Sequence, residues 1–185
     1  MIKALETPYN GCLFRSRLEA RWAVFYDHLG IQWEYEKQGY KLEDGTCYLP
    51  DFWLPEQRYW IEIKGRIPIA SDEAKLVEVC KDTEASGFLF WGSMPPGDGT
   101  QPDQPGWDDS AVMFDPRGPP GQVYRDFPGE WCACEYCRIV GVRWSGYASR
   151  LPCNCVDGDG KPSGDRYGDE ARVQAAYKAA RRARF

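Results

Sequence analysis

Asp51, Glu62 and Lys64 lie close together in the sequence, and their types and spacing could do chemistry. Residues 48–54 and 59–65 are both aromatic and β-branched, and Pro55-Glu56-Gln57-Arg58 between them is the polar, proline-containing text of a hairpin turn. With Leu54 facing Tyr59, Asp51 stands opposite Glu62, and Lys64 lies two residues further along the same face. Facing carboxylates repel one another unless a cation sits between them. Oxygen donors suit a hard divalent ion. The spacing therefore predicts a metal site with an ammonium group beside it.

Several elements must position these groups. Ser16-Arg17-Leu18-Glu19 opens a helix with a capping-box pattern. Leu18, Trp22, Phe25, Tyr26 and Leu29 recur along it at helical spacing, and Gly30 stops it. Strand readings follow near residues 33–35 and 40–42, then a turn at Asp44-Gly45, then the hairpin. Residues 71–86 read as a second helix with Ala74, Val77, Cys80 and Leu76 inward, and residues 88–91 as a short buried strand. This order predicts an α/β core on a mixed sheet flanked by helices.

From Pro95 the texture changes to Pro, Gly and Asp, with strand readings at 111–114 and 122–124. The organisation read from the sequence is a core at 1–94 and a connector at 95–130 that partly packs back on it. A cysteine-rich zinc module at 131–156 follows, then a loop and basic helix at 157–185.

The net charge of −5 is unevenly distributed. Residues 96–130 hold seven acids against Arg117 and Arg125 and account for all of it, whereas residues 172–185 carry five cations and no acid. Net acidity therefore does not exclude a nucleic-acid partner. No stretch approaches a membrane span, and the N-terminal residues lack the apolar run of a signal peptide, so a cytoplasmic protein with no membrane partner is expected.

Pro50-Asp51, followed by Glu62-Ile63-Lys64 and preceded by Glu19 on a helix, resembles the signature of the PD-(D/E)XK nuclease superfamily, with its restriction-endonuclease-like fold. Phe14 to Trp22, reading Phe-Arg-Ser-Arg-Leu-Glu-Ala-Arg-Trp, is similar to the first helix of small phage and bacterial members. Lys64-Gly65-Arg66-Ile67-Pro68 before an acidic helix is similar as well, so the resemblance covers roughly residues 12–94. It implies an endonuclease acting on DNA, with RNA left open. Glu19, Asp51, Glu62 and the Ile63 carbonyl would hold Mg2+ or Mn2+, and Lys64 would handle the attacking water or the charge on phosphate. The products would be a 5′-phosphate and a 3′-hydroxyl. A homodimer is open, since a cut through both strands favours two sites. The competing class is a non-catalytic nucleic-acid-binding or adaptor protein on the same fold.

Five of the eight cysteines crowd into residues 132–155. Cys134-Glu135-Tyr136-Cys137 and Cys153-Asn154-Cys155 are fifteen residues apart, the spacing of a zinc ribbon or knuckle, with Cys132 as an alternate ligand. Four thiolates would close the site, making the Zn2+ structural. A disulfide framework is the less favoured alternative. Cys12, Cys47 and Cys80 read as small buried hydrophobes.

Candidate phosphate contacts are Arg17 and Arg21 on the first helix, Lys75 on the second, Arg143 in the cysteine module, and Arg181 and Arg182 on the last helix. Each could instead be a solvated surface charge. On that last helix Val173, Ala176, Tyr177 and Ala180 form an apolar stripe. His28, the single histidine, is expected to pack at a helix end and leaves little for a histidine-based mechanism.

Overall fold

The computed structural model describes residues 4–97, 111–114, 123–124, 129–134, 136–144, 155 and 171–185. Strands β1 (Thr7–Tyr9) and β2 (Cys12–Phe14) pair antiparallel around Asn10-Gly11, both at positive φ (47° and 80°), the backbone that tight two-residue hairpins require. The chain then turns into α1 (Arg17–Leu29). Ser16 caps it, its hydroxyl accepting the Glu19 N–H at 3.2 Å, and Gly30 ends it at φ 73° as expected.

Next come β3 (Glu34–Tyr35) and a separate small hairpin of β4 (Tyr40–Lys41) with β5 (Cys47–Tyr48). The hairpin turn is the expected Asp44-Gly45, where the Asp44 carboxylate accepts the Thr46 N–H at 2.8 Å.

Strands β6 (Phe52–Leu54) and β7 (Tyr59–Lys64) pair antiparallel with Leu54 opposite Tyr59, Trp53 opposite Trp60 and Phe52 opposite Ile61, the expected register. Residues 48–54 are not one strand, however. Pro50 has no N–H to give a ladder, so pairing breaks between β5 and β6 and Asp51 sits at a bend just before Phe52.

Helix α2 (Ala70–Thr83) carries the chain over to β8 (Ser86–Trp91), which runs parallel to β7. Strands β9 (Ala111–Phe114) and β10 (Val123–Tyr124) extend the sheet, giving the order β10-β9-β8-β7-β6-β3, parallel only at β7–β8. Strands β11 (Gly129–Ala133) and β12 (Val140–Trp144) form their own hairpin, and α3 (Ala171–Arg182) follows.

The mixed α/β class expected from the sequence is thus observed. The apolar core lies on both faces of the sheet. On one, Ile61, Ile63, Phe88 and Phe90 meet α1, α3 and Trp131. On the other, Trp60 and Leu89 meet Leu76, Val79 and Cys80 of α2. Gly87 lets α2 close on β8, because a Cβ there would strike Cys80 Sγ and sit 3.1 Å from Leu76 Cγ. The α3 stripe Val173, Ala176, Tyr177 and Ala180 is buried as expected, with Tyr177 stacked on Phe25 at 4.5 Å between ring centroids. The core therefore draws on residues well past 94.

Four burial expectations are corrected. Ala74 is exposed, because Leu76, Val79 and Cys80 define the inward face of α2. His28 is exposed in the last turn of α1. Cys47 is exposed on the small hairpin outside the main sheet, and Cys12 is only half-buried, leaving Cys80 as the buried thiol of the three.

Candidate functional site

Asp51 is positioned by the break that precedes it. Its backbone carbonyl accepts the Glu36 N–H at 2.9 Å, and its Oδ2 accepts the Ile63 N–H at 2.7 Å across the β6–β7 hairpin. Oδ1 accepts Nη2 of Arg15 at 2.6 Å.

By strand alternation Trp60, Glu62 and Lys64 share the face of β7 opposite Ile61 and Ile63. The Glu62 carboxylate is buried; Oε2 accepts the Tyr48 hydroxyl at 2.9 Å, and Oε1 accepts Nζ of Lys64. Glu19, also buried, faces back from the first turn of α1. Its Oε1 accepts the Ser16 hydroxyl at 2.7 Å and its Oε2 the Tyr35 hydroxyl at 2.6 Å. Its cap role and its place in the site are therefore compatible.

Asp51, Glu62 and Glu19 are close enough to act on one another electrically. Burial pushes the Asp51 carboxyl well above the usual range, and the Glu62 and Glu19 carboxylates push it further. The Ile63 N–H and Arg15 pull the other way without reversing the direction. The same negative charge raises the Tyr48 and Tyr35 hydroxyls, for each of which burial is the largest cause and the hydrogen-bonded glutamate follows.

This is a buried carboxylate cluster short of positive charge, which suits a divalent cation. Each of its six carboxylate oxygens has a protein donor, and the three groups are not drawn in as tightly as the cysteines described below. An oxygen with one donor keeps a second lone pair, so these carboxylates retain accepting capacity, with Arg15 and Lys64 the cations they hold.

Lys64 also lies near Asp72, whose carboxylate it helps to hold below its ordinary range, after hydrogen bonds from Arg66 and the Ile69 N–H. Asp72 takes both guanidinium Nη atoms of Arg66, at 2.8 and 3.2 Å, and the Ile69 N–H at 2.9 Å. The loop after Lys64 is thereby tied to the first turn of α2.

Sequence reasoning missed Arg15, Glu36, Tyr35 and Tyr48. Arg15 stands inside the Phe14-Arg15-Ser16 run, so a signal was present. Tyr35 in β3 and Tyr48 in β5 reach the site through tertiary packing that no spacing announces.

The cysteines form a second centre. Cys134 follows β11, and Arg138, in the left-handed region at φ 64°, folds the chain back so that its N–H donates to the Cys134 carbonyl at 3.0 Å. The Cys134 N–H donates to the Ile139 carbonyl at 2.8 Å. This turn brings Cys134 and Cys137 together with Cys155, all three sulfurs lying within 4.8 Å of one another, so they could hold a metal ion. Among the described residues it is the group of three or more potential ligands drawn this close. Hydrogen bonding to Cys137, then burial and Cys134, pushes the Cys155 thiol up to about 12 when no cation is bound. Cys132 is not in the group; its sulfur is buried and donates to the Gly141 carbonyl at 3.6 Å. Cys153 lies outside the described residues. The seven described cysteines are all free thiols.

The candidate phosphate contacts differ in exposure and partners. Arg17 is exposed and Lys75 half-buried near Asp44. Arg21 is half-buried, with its Nε buried and unpartnered among the described residues. Arg181 serves the fold, since its Nη1 donates to the Met94 carbonyl at 2.6 Å, while Arg182 is exposed. Arg143 lies in β12, and its side chain is outside the described set. No helix among the described residues is long and apolar enough to cross a membrane.

No family model matches the chain, and neither does any curated protein.

Proposed function

We propose that the protein is a divalent-metal-dependent nuclease that hydrolyses DNA phosphodiester bonds, an endonuclease on a restriction-endonuclease-like core. One observation carries the reading: three buried carboxylates, Asp51, Glu62 and Glu19, act on one another with only Arg15 on Asp51 and Lys64 on Glu62 to offset their charge. Asp51, Glu62, Glu19 and the Ile63 carbonyl would hold Mg2+ or Mn2+. Bound there, the ion supplies positive charge to the scissile phosphate and acidifies a water.

The chain's own residues do the rest. Lys64 orients the attacking water or covers charge growing on the phosphate oxygens. Tyr48 fixes the Glu62 carboxylate and Tyr35 the Glu19 carboxylate, so both present constant faces to the ion. Zn2+ on Cys134, Cys137 and Cys155, with Cys153 as the fourth ligand, would be structural, because four thiolates leave no open position on the ion. The setting is the cytoplasm, where thiols stay reduced.

The test is incubation of the full chain with plasmid, single-stranded DNA and RNA in Mg2+, Mn2+ or EDTA. DNA cleavage that requires the ion and disappears in Asp51→Asn and Lys64→Ala supports the reading. Nucleic-acid binding without cleavage would favour the adaptor class, for which the fully donor-satisfied carboxylates speak.

A further inference from the structure

We propose that Arg15 is the resident cation of the carboxylate site, a positioning residue that holds Asp51 until a divalent ion displaces it and then receives the substrate phosphate. The inference rests on the nuclease reading and adds to it a residue, an exchange and an order of events.

Arg15 spans the boundary of the site. Its Nη2 lies 2.6 Å from Asp51 Oδ1 and its Nε 2.7 Å from Glu36 Oε1. The Arg15 side chain is 55% exposed, whereas that of Asp51 is 3% exposed. The guanidinium thus reaches from solvent to a buried carboxylate, and it carries charge at every relevant pH. Asp51 needs such a partner because Glu62 and Glu19 both face it. A cation entering the cluster from outside competes with Arg15 for the same Oδ1.

The backbone on either side is pinned while the side chain is not enclosed. The Arg15 N–H donates to the Tyr35 hydroxyl at 3.1 Å, and that hydroxyl donates to Glu19. Glu36, in the left-handed region at φ 46°, donates its N–H to the Asp51 carbonyl. Arg15 therefore pivots at a fixed point, with Glu36 as its second anchor when Asp51 is taken. A guanidinium released at the mouth of the site presents a planar fork of donors, the geometry that matches a phosphate diester. Metal loading and phosphate capture become linked through one side chain.

The exchange is tested on the full chain dialysed free of Mn2+, with bound zinc verified as unchanged. Mn2+ affinity is measured by titration calorimetry, and binding of a defined DNA duplex is measured in Ca2+. Removing a charge-assisted contact that competes with the ion should tighten Mn2+ binding about tenfold in Arg15→Ala and weaken duplex binding by a similar factor. Arg15→Lys keeps the charge without the fork, so Mn2+ affinity should stay near wild type while duplex affinity falls; it also covers the case in which Arg15→Ala does not fold. Unchanged or weaker Mn2+ binding in Arg15→Ala overturns the proposal, as does wild-type duplex affinity in both variants. Wild-type protein that binds no Mn2+ and cleaves nothing sinks the nuclease reading and this inference together. Wild-type protein that binds and cleaves, with Arg15→Ala unaltered, sinks this inference alone.

Discussion

The amide of Ile63 donates to Oδ2 of Asp51 at 2.7 Å, joining the backbone of β7 to a carboxylate carried by the preceding bend. The bond fixes how far Asp51 can retreat from Glu62. Two groups that repel are held beside a hairpin whose aromatic pair Trp53 and Trp60 is already packed.

Removing that repulsion should stabilise the metal-free protein. Asp51→Asn keeps the shape and an acceptor oxygen for the Ile63 N–H while deleting the charge. Above the raised Asp51 value, where the wild-type carboxylate is charged, we expect a higher melting temperature without divalent ions, together with at least a ~100-fold loss of cleavage. Thermal unfolding and a plasmid assay check the two halves separately, and a lower melting temperature refutes the charge argument.

The same site gives a pH dependence with a definite sign. Asp51 titrates above its unfolded value, so between the two the folded chain holds a proton that the unfolded chain has released. The stability that this group contributes is present below the ordinary aspartate range and is lost as pH rises through the raised folded value. Metal-free wild type should therefore destabilise with rising pH over that window, and Asp51→Asn should flatten the curve. Denaturation at a series of pH values reads the slope.

Tyr48→Phe deletes the donor to Glu62 Oε2 at a mostly buried position. An unpaired acceptor there should cost about 1–3 kcal/mol. Urea unfolding measures the loss, and a cost near zero would mean that Glu62 finds another donor.

For the cysteine centre, metal analysis of the purified chain should return one zinc per chain. Cys134→Ser, Cys137→Ser and Cys155→Ser should each lower the content, whereas Cys132→Ser should leave it intact, because its sulfur lies outside the close group of three. Loss of zinc in Cys132→Ser would reassign the ligand set.

Gly97→Ala tests the docking of the last helix. A Cβ at Gly97 would lie 2.6 Å from the Gln174 carbonyl oxygen and 2.8 Å from the Lys178 nitrogen, and its φ is 76°. Both objections are backbone, so nothing can swing aside, and a loss of about 1–3 kcal/mol is expected. Unfolding by denaturant gives the figure; wild-type stability would show that α3 shifts freely.

Much of the frame was legible because it depends on local rules. The hairpin register followed from alternation and turn text, the cap at Ser16 and stop at Gly30 from end chemistry, and the α3 stripe from period. Pro50 was legible too and was under-weighted: a residue without an N–H could only break a strand spanning 48–54. What stayed hidden was non-local. Nothing in the spacing says that Tyr35 meets Glu19, that Arg15 reaches Asp51, or that Arg181 closes on Met94. That Cys134, Cys137 and Cys155 come together needs the folded hairpin.

Trp22 and Phe25, on the helix that carries Glu19, have Tyr177 as a ring neighbour, and Trp131 stands against Phe25, Tyr26 and Phe90. During synthesis the early half must therefore wait with its apolar face uncovered until the distal helix leaves the ribosome. A nascent chain stalled before residue 171 would expose a sticky aromatic surface and invite chaperones.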